Sequence, residues 1–169
     1  GMWIAHAGIA VCLLGVVLTS IYSVEHDLSM KTGELADIGP YQFLFQWVSE
    51  HRGPNYVATR GRFEVRDGER LEARLAPEKR VYNVSRMSMT EAAIRPGLFD
   101  DLYVSLGEPL DGGTAWAIRI YYKPFIRWVW LGALFMALGG FFAVADPRYR
   151  LKLKAKMGMG AGAAAEVRV

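Results

Sequence analysis

Two uncharged apolar runs frame this chain, with a polar stretch of about 100 residues between them. Met2–Tyr22, MWIAHAGIAVCLLGVVLTSIY, is 21 residues without a formal charge. That length crosses a hydrocarbon core of about 30 Å as an α-helix. Trp128–Ala145, WVWLGALFMALGGFFAVA, is a second such run, extended at its start by Phe125 and Ile126 around Arg127. Between the two, the pattern changes to short segments of alternating apolar and polar residues separated by turn residues. Tyr41–Val48 is aromatic-rich with partial alternation, Gly53-Pro54-Asn55 is a turn, and Tyr56–Val65 alternates again. Asp67-Gly68 lies in a hairpin turn, and Arg70–Val84 returns as one or two strands around Pro77. Thr90–Ile94 (TEAAI) reads as a short helix or an irregular crossing. Asp101–Leu106 is a strand, Asp111–Thr114 a turn, and Ala115–Tyr122 a last strand leading into the second apolar run.

The pattern therefore predicts a membrane α + β chain: two transmembrane helices flanking a small antiparallel β domain, barrel or sandwich-like. The expected divisions are a first helix over 1–22, a β domain over 23–124, a second helix over 125–145 and a basic tail over 146–169. An OB-like barrel is one form that about seven short strands could take. On the first helix, Gly8 and Gly15 are suited to close helix approach. On the second, Ala133, Ala137, Gly139 and Gly140 form the expected small-residue packing patch.

Charge changes the picture by where it lies. The chain carries a net charge of +3, but residues 23–124 hold 13 Lys/Arg against 15 Asp/Glu. Residues 146–169 hold six basic residues and two acidic ones. A basic excess confined to a helix end is a positive-inside signal and not a nucleic-acid face. It places the C-terminus in the cytoplasm and, after two crossings, the β domain in the periplasm. Tyr121, Tyr122, Lys123, Trp128 and Trp130 form an interfacial collar at the start of the second helix. Arg127 reads as an interface anchor or as a contact for an anionic group such as a propionate.

Candidate chemistry is sparse. The single cysteine, Cys12, lies in the first apolar run, so the β domain has no thiol for a disulfide or a metal knuckle. His26 and His51 stand alone in the β domain, and Ser23, His26 and Asp27 lack a triad arrangement. Asp100 and Asp101 point to opposite faces of an extended strand and make a poor acid/base pair. One residue is anomalous for its setting, and that is His6. An ionisable ring in a spanning segment is a functional-site hypothesis by default. On a helix it shares a face with Met2, Trp3, Ile9, Ala10 and Leu13. The alternatives are a histidine hydrogen-bonded to a neighbouring helix and an axial ligand to haem iron.

Several ordered motifs then carry a resemblance: AHAG (Ala5–Gly8), YSVEHD (Tyr22–Asp27), GPNY (Gly53–Tyr56), EKRVY (Glu78–Tyr82), MTEAAI (Met89–Ile94), DLYVSLGE (Asp101–Glu108), IRIYYKPFIRWVW (Ile118–Trp130) and DPRYR (Asp146–Arg150). From Met2 to about Arg150 the chain resembles the C-terminal part of the CcmF/NrfE family, the haem lyase component of bacterial cytochrome c maturation. The resemblance implies a multi-pass protein of the bacterial inner membrane. Such proteins take haem from the chaperone CcmE and attach its vinyl groups to CxxCH thiols of apocytochrome c, which CcmH/CcmI-type subunits present. It also implies a b-type haem held in the membrane by two histidines, of which His6 matches the second by its AHxG context. That haem is thought to keep the incoming haem iron reduced. The tryptophan-rich WWD segment, two periplasmic histidines and the partner membrane histidine belong to earlier parts of the family. His26 stands where relatives usually show Arg. The chain thus reads as a piece of a longer protein, supplying half of a haem b site and not a complete lyase by itself. A reading without haem, in which two helices anchor a partner-binding β domain, is the alternative.

Overall fold

The computed structural model describes residues 1–145; the basic tail expected over 146–169 lies outside the described residues. The chain divides into two compact units. One contains Gly1–Val16 together with the second helix from Trp128 onward, and the other is Val17–Arg127.

The helical unit is built from α1 (Met2–Tyr22) and α2 (Ile126–Ala145), both long and apolar enough to cross a membrane. Among their residues only glycines are buried: Gly8 and Gly15 on α1, Gly132 and Gly139 on α2. Each pair is separated by seven residues, two helical turns, so each forms a line along one face. The backbones meet along these lines. A Cβ on Gly8 would lie 2.7 Å from the Gly132 carbonyl oxygen, and one on Gly132 would lie 2.5 Å from the Cys12 nitrogen. One on Gly139 would lie 2.4 Å from the Ala5 nitrogen. Where lipid is as apolar as leucine, such close van der Waals contact is what draws helices together. The expected packing patch on α2 is corrected accordingly. Ala133, Ala137 and Gly140 are exposed, a Cβ on Gly140 would touch nothing within 4 Å, and Gly132 joins Gly139 as the contact residue. Ala133 and Ala137 fall outside the seven-residue line and so cannot face the same partner.

The second unit is a two-sheet antiparallel sandwich of ten strands. Three of the strands are β1 (Val24–Lys31), β9 (Asp100–Leu110) and β10 (Ala115–Pro124). With β8 (Ala93–Arg95) they form one sheet in the order β1-β10-β9-β8. The other sheet runs β2 (Leu35–Ile38), β3 (Tyr41–Arg52), β4 (Tyr56–Asp67), β6 (Glu78–Tyr82), β7 (Ser88–Glu91), and β5 (Arg70–Leu75) also pairs with β4. Alternation decides the core. Phe43, Phe45, Phe63 and Val65 from one sheet meet Leu102, Val104, Leu106, Ile118 and Ile120 from the other, all essentially without solvent contact. The Phe45 and Phe63 rings stack at 4.7 Å, a geometry that adds to their burial. A bulge between Phe45 and Trp47 explains why the alternation of β3 is only partial: it turns Trp47 outward, where it is 47% exposed.

Two alternatives left open by the sequence are decided. Thr90–Ile94 is the irregular crossing and not the helix: Thr90 and Glu91 end β7, pairing with Lys79 and Glu78, and Ala93 and Ile94 begin β8, pairing with Val104 and Tyr103, so the stretch carries the chain from one sheet to the other. Neighbouring strand edges supply hydrogen bonds that a five-residue helix could not match. The architecture is also a sandwich and not an OB-like barrel, since β1 and β2 belong to separate sheets.

Candidate functional site

His6 sits on α1 two residues before the buried Gly8, about 200° away around a helix of 3.6 residues per turn. It therefore points away from the glycine line, on an exposed face shared with Met2, Ile9 and Leu13. Its Nδ1 lies 2.8 Å from the Met2 carbonyl oxygen, one turn back. A carbonyl only accepts, so Nδ1 must carry the proton and donate. In the neutral ring this leaves the lone pair on Nε2. Orienting a ligand histidine by hydrogen-bonding its other nitrogen to a backbone carbonyl is the usual arrangement at metal centres. The donor set present on this face thus suits an axial imidazole ligand, and no second histidine of the described helices shares it.

At the start of α2 the expected collar separates by side. Tyr122 turns toward the sandwich interior, with its ring 6.0 Å from that of Tyr41, whereas Tyr121 and Lys123 face outward. Arg127 donates from Nε to Asp101 Oδ1 at 3.1 Å, and Asp101 also accepts from the Gly97 amide at 2.9 Å. Arg127 is thereby committed to a carboxylate of its own unit, which favours the anchor reading over a propionate contact. Asp100 and Asp101 do take opposite faces. Asp100 turns to Tyr41, which donates its hydroxyl at 2.6 Å, and to Arg95 at 2.5 Å.

A second constellation, which no local sequence pattern signals, lies between the two sheets. Arg95 of β8 reaches Asp100 of β9, the Tyr41 hydroxyl of β3 and Glu72 of β5 (3.1 Å), so it ties the two sheets together. Burial pushes the Tyr41 hydroxyl up to about 12, with the Asp100 hydrogen bond adding to the shift. Burial opposes the charge on Arg95, but Asp100 and Glu72 outweigh it and raise its proton affinity. On the outer face of the larger sheet, Glu78 is held by Arg60 and Arg80, whose hydrogen bonds overcome its burial and keep its carboxyl below the usual range. Each group in these clusters has its partner, so they read as scaffold and not as reactive centres. His26 lies exposed on β1 and His51 half-buried on β3. Asp27 takes the two-pronged hydrogen bond of Arg119, 2.5 and 2.8 Å, and is not available to His26 as a triad member.

Known proteins align with this arrangement along most of its length. The family model described as the CcmF C-terminal beta-sandwich matches residues 21–124. The chain belongs to the CcmF family. CcmF of Pseudomonas aeruginosa, a cytochrome c-type biogenesis protein, is 52% identical over 153 residues, covering 90% of this chain and 23% of the relative. CcmF of Escherichia coli is 52% identical over 153 residues, covering 89% and 23%. NrfE of Haemophilus influenzae is 34% identical over 144 residues, covering 85% and 22%. A solved structure named Cytochrome c Heme Lyase CcmF shares the fold with a TM-score of 0.66 at 18% identity, over 82% of this chain and 23% of that one. The chain thus spans about a quarter of the length of the CcmF relatives it matches.

Proposed function

We propose that this chain is the C-terminal portion of a CcmF-type haem lyase of cytochrome c maturation. In this reading α1 and α2 cross the bacterial inner membrane, the basic tail keeps the C-terminus in the cytoplasm, and the sandwich lies in the periplasm. His6 supplies one axial ligand to a membrane b-haem through Nε2, with the second ligand from a histidine elsewhere in the full protein. The single observation that carries it is the bond from Nδ1 to the Met2 carbonyl, which fixes the tautomer and leaves Nε2 free on an open helix face. When bound, such a haem supplies one-electron transfer. The part of this chain is to hold the imidazole in place and to keep its basic nitrogen directed away from α2. The sandwich serves the attachment of haem to CxxCH thiols by meeting CcmE and the CcmH/CcmI-type subunits that present apocytochrome c.

His6→Ala in the full-length protein tests this. The reading expects loss of most of the co-purified b-haem and at least a tenfold fall in holocytochrome c in the same cells. Undiminished haem content would overturn it.

A further inference from the structure

The start of α2 carries a hollow that the haem reading does not use. It has a volume of about 350 Å³ and is lined by Ile94, Asp101, Tyr103, Tyr121, Lys123 and Ile126. Asp101 and Lys123 are cross-strand neighbours, yet they form no ion pair; Asp101 is held by Arg127 and the Gly97 amide. Lys123 instead lies with its Nζ 4.9 Å from the Tyr121 ring centroid, and no carboxylate among the described residues pairs with it. Arg127 offsets Asp101, and Glu25 at the edge accepts from the Tyr121 hydroxyl, which leaves Lys123 as the lining cation without a carboxylate partner among the described residues. The residues beside it are apolar and open to solvent: Ile94 is 56% exposed, Leu98 61% and Phe99 60%. The Phe125 amide donates to the Phe99 carbonyl at 2.7 Å, so this loop is pinned at the level where α2 begins. A cation over a tyrosine face, with exposed aliphatic and aromatic side chains at the first residue of a spanning helix, matches an amphiphile with an anionic head.

We propose that this hollow binds one anionic phospholipid, its phosphate on Lys123 and the Tyr103 hydroxyl, its acyl chains along Ile126, Leu98 and Phe99. The proposal rests on the reading that α2 crosses the bilayer. The lipid would be held at the hollow through a contact that salt weakens.

The test uses the full-length protein in detergent, titrated with phosphatidylglycerol and read by native mass spectrometry. One molecule per protein is expected at saturation, with phosphatidylcholine of the same chains binding more weakly. Lys123→Gln should weaken phosphatidylglycerol binding about fivefold, the contribution of one cation near an anionic headgroup, and Lys123→Arg should retain it. Equal binding by the Gln variant, or by phosphatidylcholine, overturns the proposal. Displacement by soluble glycerol phosphate at matched concentration also overturns it, by assigning the site to free phosphate. Release of the protein from membranes by carbonate would instead defeat the reading of α2 as a spanning helix.

Discussion

The helix pair and the sandwich are held together in opposite ways. The helices meet through four glycines, their only fully buried residues, with the Met136 and Trp128 side chains packed at Gly8 and Gly15. The face of α1 opposite that contact, with His6 on it, is left open. The sandwich buries its phenylalanines and aliphatics completely and closes its polar groups on themselves: Arg95, Asp100, Tyr41 and Glu72 satisfy one another across the two sheets. A closed network stabilises a scaffold. On the exposed face of α1 the imidazole has one nitrogen bonded to Met2 and the other without an intramolecular partner among the described residues.

The largest effect should come from the glycine contact. Gly132→Leu places a side chain where even a Cβ would lie 2.5 Å from the Cys12 nitrogen. Helix backbones cannot yield as a flexible side chain can, so little folded full-length protein should survive size-exclusion chromatography. Recovery at wild-type levels would show that the helix pair does not depend on this approach. Arg95→Leu comes next. It leaves Asp100 and Glu72, both largely shielded, without their shared cation, at a cost of about 2 kcal/mol in urea unfolding of the sandwich. Tyr41→Phe removes one hydrogen bond of the same cluster and should cost about 1 kcal/mol. Gly140→Ala should be near neutral by the same measures, because nothing lies within 4 Å of the added carbon.

pH sharpens the contrast further. The Tyr41 hydroxyl is raised from its ordinary value of 10 to about 12, so folding favours its protonated form. That contribution is fully present below pH 10 and is lost as pH rises from 10 through about 12. Stability measured across this window should fall more steeply in the wild type than in Tyr41→Phe. Parallel slopes would mean that neither burial nor the Asp100 hydrogen bond raises the hydroxyl. Glu78 has the opposite sign: its folded carboxyl is lowered, so its contribution is present above its ordinary value of 4.5 and fades as acid protonates it.

The two regions also differed in how legible they were. Both helices stand out from hydropathy alone, and His6 stands out as an exception within one of them. Its bond to Met2 is local, one helical turn, and follows from the helix itself. The strands from Tyr41 onward follow their alternation. Val24–Lys31 does not: it is an edge strand whose outward face is charged and whose inward positions include the exposed His26, so it reads as polar chain. Leu35–Ile38 is only four residues and gains its identity from pairing with β3. Thr90–Ile94 misleads because its alanines favour a helix while tertiary pairing imposes strands. The Arg95 cluster draws residues from four strands, with Tyr41 and Asp100 separated by 59 positions, and no local pattern announces such a meeting. Gly132 does not stand out in the local sequence, because the small residues of α2 cluster around 133–140, whereas the contact follows the seven-residue line that Gly132 shares with Gly139.

The central claim is that His6 Nε2 is an iron ligand and not a packing nitrogen. The most direct measurement is the visible spectrum of full-length His6→Gly, reduced, before and after addition of imidazole. The account predicts loss of the low-spin bis-imidazole haem signal in the variant and its return when imidazole fills the vacated position. A full low-spin signal in His6→Gly without imidazole would contradict it.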